Sequence, residues 1–401
     1  MEDITRRFVS EHLHDDVHEL ALKYSNAKVD MALALRQIEA RQLLRKKVPS
    51  WSSNDDLLFP PHLSIEQCSS EATAQYKASL LHGESFADLT GGLGVDCFVI
   101  AQQFQHADYV EQNAELCALA EHNFPILAGL DTSPRQCILP VVHHEPAESF
   151  LNRCEPVDCI FLDPARRDVH GHKTVSIADC TPDVSKLQGL LLRKARQVLV
   201  KLSPMLDVSK ALSELRQVSE VHVVAVSNEC KELLLLMERG FEGEPVFTCV
   251  NLLTHQPRMR FAMSEERDAV PPLAERPLQY LYEPNAALMK GGCFGLLTTR
   301  FPLLKLHRNS HLYTSDQWLP DFPGRGFRVE GWAPFDKKLG LTLLADVEKA
   351  SIATRNFPLT VAELRKTWKI ADGDEVFLFA TTMGANKKIV LKTRKADEMS
   401  E

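Results

Sequence analysis

Seven short apolar segments recur between residues 85 and 253: Ser85 to Leu89, Ala107 to Glu111, Ile138 to His143, Asp158 to Leu162, Gln197 to Lys201, Val221 to Val226 and Val246 to Leu253. Most are separated by stretches long enough for a helix, the pattern of right-handed βαβ crossovers in a mainly parallel sheet. The last follows a short connection, Gly240 to Pro245, too brief for a full crossover, so an antiparallel final strand is expected. At 401 residues, 44% apolar and 25% charged, the chain has room for two or three domains and an ordinary globular composition. No apolar run approaches the roughly 18 to 20 residues of a membrane span. Met1 to Leu20 lacks the apolar core of a secretory signal, so a cytoplasmic protein is expected. Ten cysteines lie between Cys68 and Cys293 without a Cys-x-x-Cys pair, and the histidines His143, His144, His170 and His172 form no metal-binding spacing, so no metal site is expected.

Ahead of the first strand, residues 1–60 read as a helical region, with Met31, Ala34, Leu35 and Ile38 at helical spacing. Ser64 to Leu81 reads as a further helix, capped by Ser69 or Ser70 if it starts late. Residues 61–256 form the α/β domain, and prolines from Pro257 to Pro284 mark a connection. Beyond it lies an α+β module, divided at 275–320 and 321–396. Its helix candidates are Asn285 to Phe301 and Thr360 to Trp368; its strand candidates are Gly326 to Trp332, Leu341 to Leu344, Glu375 to Ala380 and Ile389 to Thr393.

The strongest local signal is Ala87-Asp88-Leu89-Thr90-Gly91-Gly92-Leu93-Gly94-Val95-Asp96, a glycine turn between the first strand and a helix. Such a turn admits a ligand close to the backbone. A dinucleotide is a poor fit, because Cys97 stands where the third glycine belongs and Asp96 would repel a pyrophosphate. A zwitterion fits better: Asp88 can pair with an ammonium group while loop amides and the Thr90 hydroxyl take a carboxylate. S-adenosylmethionine carries both groups. Glu111, with Gln112 beside it, ends the second strand where a carboxylate can accept from two ribose hydroxyls, and Glu148 follows the third strand near an expected adenine site. The cofactor-binding candidates are therefore Asp88, Thr90, Gly91, Gly92, Gly94, Glu111, Gln112 and Glu148.

With these motifs the chain resembles the class I, Rossmann-like S-adenosylmethionine-dependent methyltransferases over about Ser64 to Leu253. It is more closely similar to bacterial methyltransferase-like proteins carrying a THUMP-like C-terminal domain. The words that carry this likeness are Glu66-Gln67-Cys68-Ser69-Ser70-Glu71-Ala72-Thr73-Ala74-Gln75-Tyr76-Lys77-Ala78, Asp163-Pro164-Ala165-Arg166-Arg167-Asp168, Lys201-Leu202-Ser203-Pro204, Phe322-Pro323-Gly324-Arg325 and Arg355-Asn356-Phe357-Pro358. The resemblance implies a seven-stranded methyltransferase sheet, an N-terminal helical region and a C-terminal ferredoxin-like and THUMP-like module.

The fourth strand runs into Asp163-Pro164, and open parallel sheets bind ligands outside their carboxyl ends. Asp163 and the Pro164 carbonyl are the catalytic candidates, able to accept hydrogen bonds from a methyl-accepting amine. Arg166, Arg167, Lys201 and Ser203 are the substrate-binding candidates, the arginines as forks for phosphate or carboxylate. Amino-methylating nucleic-acid enzymes usually carry Asn/Asp-Pro-Pro and an aromatic residue here; Ala165 and Arg166 stand instead, which puts base stacking in doubt. Lys201-Leu202-Ser203-Pro204-Met205, without a cysteine, stands at the end of the fifth strand, so covalent attack through cysteine is disfavoured.

The C-terminal third is basic on an acidic body: residues 285–396 hold 18 Lys and Arg against 10 Asp and Glu, and the rest hold 28 against 44. Lys337, Lys338, Arg365, Lys366, Lys387, Lys388, Lys392, Arg394 and Lys395 are interspersed with Phe327, Trp332, Phe335, Trp368 and Phe377, which suits RNA. The sequence thus points to a methyltransferase acting on structured RNA. A methyltransferase for a small anionic metabolite and a non-catalytic binder of cofactor and RNA are the alternatives; oligomeric state is not legible.

Overall fold

The computed structural model describes residues 1–24, 28–130, 137–166, 176–336 and 342–396. The chain divides into two compact units, Met1–Glu220 with Glu232–Gly243, and Val221–Lys231 with Glu244–Glu401.

The first unit opens with helices α1 (Asp3–Glu11), α2 (Val17–Lys23), α3 (Met31–Lys47) and α4 (Pro49–Ser52). Asp16 and Asp30 cap α2 and α3 by accepting from first-turn amides, and Phe8, Val9, Leu20, Ala34 and Ile38 close a small core between the helices. The expected helix over Ser64 to Leu81 is broken into α5 (His62–Gln67) and α6 (Glu71–Ala78). Ser70 caps α6 by accepting from the Thr73 amide at 3.3 Å. Ser69, in the break, is buried.

The main sheet holds β1 (Ser85–Asp88), β2 (His106–Glu111), β3 (Val141–His144), β4 (Val157–Leu162), β7 (Ala195–Leu202), β8 (Val218–Val226), β9 (Glu229–Glu238), β10 (Val246–Leu252) and β11 (Met259–Ala262). Between β4 and β7, β5 (Ala165–Arg166) and β6 (Cys180–Thr181) form a separate antiparallel ribbon. The strand order is β3-β2-β1-β4-β7-β9-β8-β10-β11. The pairs β1–β2, β2–β3, β1–β4 and β4–β7 are parallel, and β7–β9 is antiparallel. Nine strands replace the expected seven. The antiparallel strand beside β7 is β9, and Val246–Leu252 lies farther out. Leu233 to Leu236 and Met237 are all buried, so β9 shows an unbroken apolar run instead of the alternation that marks a half-exposed strand.

The second unit carries a seven-stranded sheet in the order β13-β14-β12-β15-β18-β17-β16. Its strands are β12 (Tyr280–Pro284), β13 (Leu304–Lys305), β14 (Tyr313–Ser315), β15 (Gly324–Pro334), β16 (Ser351–Arg355), β17 (Phe377–Met383) and β18 (Lys387–Lys395). Antiparallel pairing of β12 with β15 makes one continuous sheet across residues 280–334. The helix expected over Asn285 to Phe301 is two short ones, Ala286–Gly291 and Leu297–Arg300, because Gly292 ends the first in a left-handed conformation at φ +77°. Of the strand expected at Leu341 to Leu344, Leu341 lies outside the described residues, and Leu343 and Leu344 pack into a core cluster outside any strand. Among the described residues no helix is long and apolar enough to cross a membrane, and all ten cysteines are free thiols.

Candidate active site

The chain leaves β1 for β2 and β3 on one side and returns through β4 and β7 on the other, so the sheet reverses its winding between β1 and β4. Ligands of open α/β sheets bind at such a switch point. A cleft of about 300 Å³ lies there, lined by the turn Asp88 to Asp96, by Glu111 to Asn113, by Ala147 and Glu148, and by Asp163, Ala165, Thr181 and Pro182. Ser64, Gln67, Cys68, Ser69, Leu116 and Phe161 complete it.

The turn is held by its own contacts. Gly94 takes φ +89° at the start of α7 (Val95–Ala101), a conformation that favours glycine. A side chain at Gly91 would meet the Tyr109 ring at 2.2 Å, and the Tyr109 hydroxyl donates to the Gly92 carbonyl at 2.6 Å. The Gly91 side of the turn is therefore filled by protein. Four amides are also committed: Thr90 N–H donates to Asp88 Oδ1 at 2.9 Å, Gly92 N–H to Glu111 Oε2 at 2.9 Å, and Gly91 and Gly94 N–H to the Val110 and Gly91 carbonyls. The expectation that loop amides receive a ligand carboxylate thus does not extend to these four.

Asp88 is 1% exposed. Its Oδ2 is buried with no hydrogen-bond partner among the described residues, an unusual state for a carboxylate oxygen. Burial, reinforced by the charges of Asp96, Asp163 and Glu111 and opposed by the Thr90 N–H, holds its pKa well above the usual range. Glu111 is fixed at both oxygens, because Asn113 N–H donates to Oε1 at 2.9 Å. Each oxygen keeps a further lone pair for a hydroxyl donor. The lining holds five carboxylates, Asp88, Asp96, Glu111, Glu148 and Asp163, and, among the described residues, no Lys or Arg.

The balancing cations stand behind this wall. Lys201 Nζ reaches Asp163 Oδ2 at 2.5 Å and Ser69 Oγ at 3.2 Å. Lys77, fully buried, meets Glu232 at 2.7 Å and 2.9 Å, Ser69 at 3.0 Å and Asp96 at 3.1 Å. Ser69 donates to Asp96 Oδ2 at 2.6 Å. Burial works against the Lys201 ammonium, but Asp163, Glu232 and Asp96 outweigh it and keep its pKa above the ordinary lysine value. Dehydration pushes the Asp163 carboxyl up, and Lys201 opposes that shift. Burial pushes the Cys68 thiol up to about 11, which leaves it protonated at neutral pH and a poor nucleophile.

The structure brings Asp88, Thr90, Gly91, Gly92, Gly94, Glu111, Gln112, Glu148 and Asp163 to one cleft. Pro164 follows β4 but is buried outside the lining. Lys201 sits behind Asp163, and Ser203 is not among the lining residues. Arg166 lies in β5 beside Cys180; Arg167, His170 and His172 lie outside the described residues. Sequence reasoning missed the roles of Ser69, Asp96, Lys77 and Glu232. Lys77 and Glu232 stand 155 residues apart, beyond any local pattern.

In the second unit, Phe327 and Phe377 are core residues, and Trp332, Phe335 and Trp368 pack against the core. These rings therefore serve packing. Lys392 pairs with Asp346 at 2.7 Å, Arg394 with Glu330 at 2.6 Å and Arg365 with Asp372 at 2.8 Å. Lys337 and Lys338 lie outside the described residues.

A parallel sheet with its cleft at the β1/β4 switch point and an antiparallel strand beside β7 defines a class I methyltransferase fold. The comparisons with known proteins agree. A crystal structure of a candidate methyltransferase from Porphyromonas gingivalis W83 is 36% identical, covers 98% of this chain and 98% of its own, and superposes with a TM-score of 0.85. Residues 280–323 match a ferredoxin-like domain family and residues 324–395 a THUMP domain-like family. This chain belongs to the family of class I methyltransferases that carry a THUMP-like C-terminal domain. Matches to part of the chain include an rRNA methylase from Streptococcus thermophilus (11% identity, 45% of this chain, 99% of that one, TM-score 0.29). Another is a candidate methyltransferase from Streptococcus mutans in complex with SAH (10%, 42%, 96%, 0.30). No curated protein matches the chain.

Proposed function

We propose that the chain is an S-adenosylmethionine-dependent methyltransferase acting on structured RNA. The observation that carries the cofactor reading is the charge of the cleft among the described residues: five lining carboxylates, one with a buried oxygen that finds no partner there, and Lys77 and Lys201 held behind them. That environment favours a cationic ligand and disfavours a pyrophosphate. Asp88 Oδ2 would accept from the cofactor's ammonium, Glu111 from its ribose hydroxyls, and Gln112 and Glu148 would stand at its adenine. The bound cofactor supplies an activated methyl group for in-line displacement.

Asp163 would accept a hydrogen bond from the acceptor nitrogen and orient its lone pair, with Lys201 fixing the carboxylate rotamer. The Pro164 carbonyl is the second candidate acceptor. Arg166, Arg167 and Ser203 remain candidates for the substrate side. The basic surplus of residues 285–396 and the THUMP-like region support RNA as the substrate.

The test is transfer of labelled methyl from S-adenosylmethionine into fractionated bacterial extract, with Asp163→Ala as control. Label in structured RNA that disappears in the variant is expected. Label confined to small molecules would point to the metabolite alternative, and cofactor uptake without transfer to any fraction would point to a binding protein.

A further inference from the structure

The ferredoxin-like region carries a second polar cluster, remote in sequence from the cleft. Along β13 and the residues after it, side chains alternate: Leu304 and Leu306 join the core, which places Lys305 and His307 on the opposite face. Lys305 is 3% exposed, yet its ammonium has no hydrogen-bond acceptor or ion-pair partner among the described residues. Its surroundings are aromatic, with Nζ 5.4 Å from the Phe294 ring centroid and 5.9 Å from that of Tyr313. Glu266, the acid whose charge acts on Lys305, is committed elsewhere: its oxygens accept from the Gly295 and Leu296 amides at 2.7 and 2.9 Å. His311 stacks on the same Phe294 ring at 3.7 Å, and its buried Nδ1 has no partner among the described residues. Burial, then Lys305 and Arg355, lower its pKa to about 4, so both cations face this neutral ring.

A third donor is adjacent. His307 Nδ1 lies 3.1 Å from the Asn309 N–H and 3.1 Å from Asn356 Nδ2. Accepting from the amide fixes the proton on Nε2, where no acceptor is found among the described residues. Asn356 and Arg355 belong to the Arg355-Asn356-Phe357-Pro358 motif that the cleft does not use. Arg355 Nη2 reaches Glu283 Oε1 at 2.5 Å, and Arg325 of the Phe322-Pro323-Gly324-Arg325 motif reaches Oε2 through Nε at 3.0 Å. Glu283 is 3% exposed, whereas the two arginine side chains remain 44% and 37% exposed. One buried acid therefore serves two accessible arginines.

We infer that Lys305, His307 and Arg355 form a binding site for a phosphate group at the seam between the ferredoxin-like and THUMP-like regions. Lys305 Nζ and His307 Nε2 are donors without an acceptor among the described residues, and the partly exposed Arg355 keeps N–H groups beyond those it gives to Glu283 and the Thr354 carbonyl. With Glu266 engaged by backbone amides, such donors match phosphate oxygens. The group is carried by an RNA backbone or by a free phosphate; the RNA arm rests on the proposed function, and the site itself does not.

The test uses the full chain and its Lys305→Met and His307→Phe variants against two probes, inorganic phosphate by calorimetry and a labelled RNA hairpin in a salt titration. Retained S-adenosylmethionine uptake and an unchanged melting temperature establish that each variant is folded, and Lys305→Met serves alone if His307→Phe is not. Weakening of RNA binding by about tenfold in Lys305→Met, with a log-log salt slope shallower by about one, is expected. Lys305-dependent phosphate binding with no RNA binding keeps the site and overturns the RNA reading. Binding of both probes unchanged by Lys305→Met, or binding of neither, overturns the site.

Discussion

The two units handle buried charge in opposite ways. In the first, Lys77 is fully buried and Lys201 nearly so, each spent on carboxylates that line the cleft, so the open surface is anionic. In the second, the acid is buried: Glu283 is enclosed while Arg325 and Arg355 keep their outer edges free, so that surface is cationic. Desolvation makes an unpaired buried charge costly, and in these two networks the buried group is neutralised from within while the outward side carries the opposite sign. Lys305, buried without an ion-pair partner among the described residues, is the exception in the second unit. A cationic cofactor and a polyanionic substrate are the two ligands that this division suits.

Breaking the first arrangement at its base has the largest expected effect. Lys77→Met leaves Asp96 and Glu232 buried without their partner, and removing one member of such a pair costs about 3–5 kcal/mol. Denaturant unfolding should show that loss. A loss below about 1 kcal/mol would mean that the network is hydrated.

Asp163→Asn keeps the shape of the cleft and removes the charge that Lys201 holds. Methyl transfer is expected to fall about 10²-fold or more, with cofactor affinity changed only a few-fold, in single-turnover assays and calorimetry. Equal loss in both would place Asp163 in cofactor binding instead.

Asp88→Asn separates ligand binding from stability. A charge-assisted hydrogen bond contributes about 1.5–3 kcal/mol, so cofactor affinity should fall about 10- to 100-fold. Because Asp88 has its pKa raised in the folded chain, the folded state binds that proton more tightly than the unfolded one. The Asp88 contribution to ligand-free stability is therefore greatest at low pH and falls as pH rises from near 4 through the folded pKa. Asp88→Asn should remove that fall and leave the ligand-free chain more stable at neutral pH, measurable as a higher Tm.

The smallest effect belongs to the exposed pairs of the second unit. Arg394→Ala breaks the contact with Glu330 and should change stability by less than about 1 kcal/mol, since both partners are solvated. A larger change would show that this pair is structural and no part of an accessible cationic surface.

The contrast also explains what was legible in the sequence. Asp88, Glu111 and Asp163 stand at the ends of short strands, and the alternation of strand and helix places such ends along one edge of a parallel sheet. The glycine turn was visible for the same local reason, although Gly91 makes room for Tyr109 and four turn amides are spent within the protein. Strand β9 was hidden because burial on both faces erases alternation, and with it went Glu232, the partner of Lys77. Lys201 was read as a substrate-binding candidate; only the fold turns it toward Asp163. In the second unit, the arginine motifs were visible as words, but their shared carboxylate, Glu283, lies 42 residues from Arg325 and carries no local signature.

Calorimetric titration of the full chain with S-adenosylmethionine, set beside an equal titration with a pyrophosphate dinucleotide such as NAD, tests the account most directly. Saturable uptake of the sulfonium compound and none of the dinucleotide is the predicted result. Uptake of the dinucleotide, or of neither, would contradict the claim that the acid-lined cleft is built for a cation.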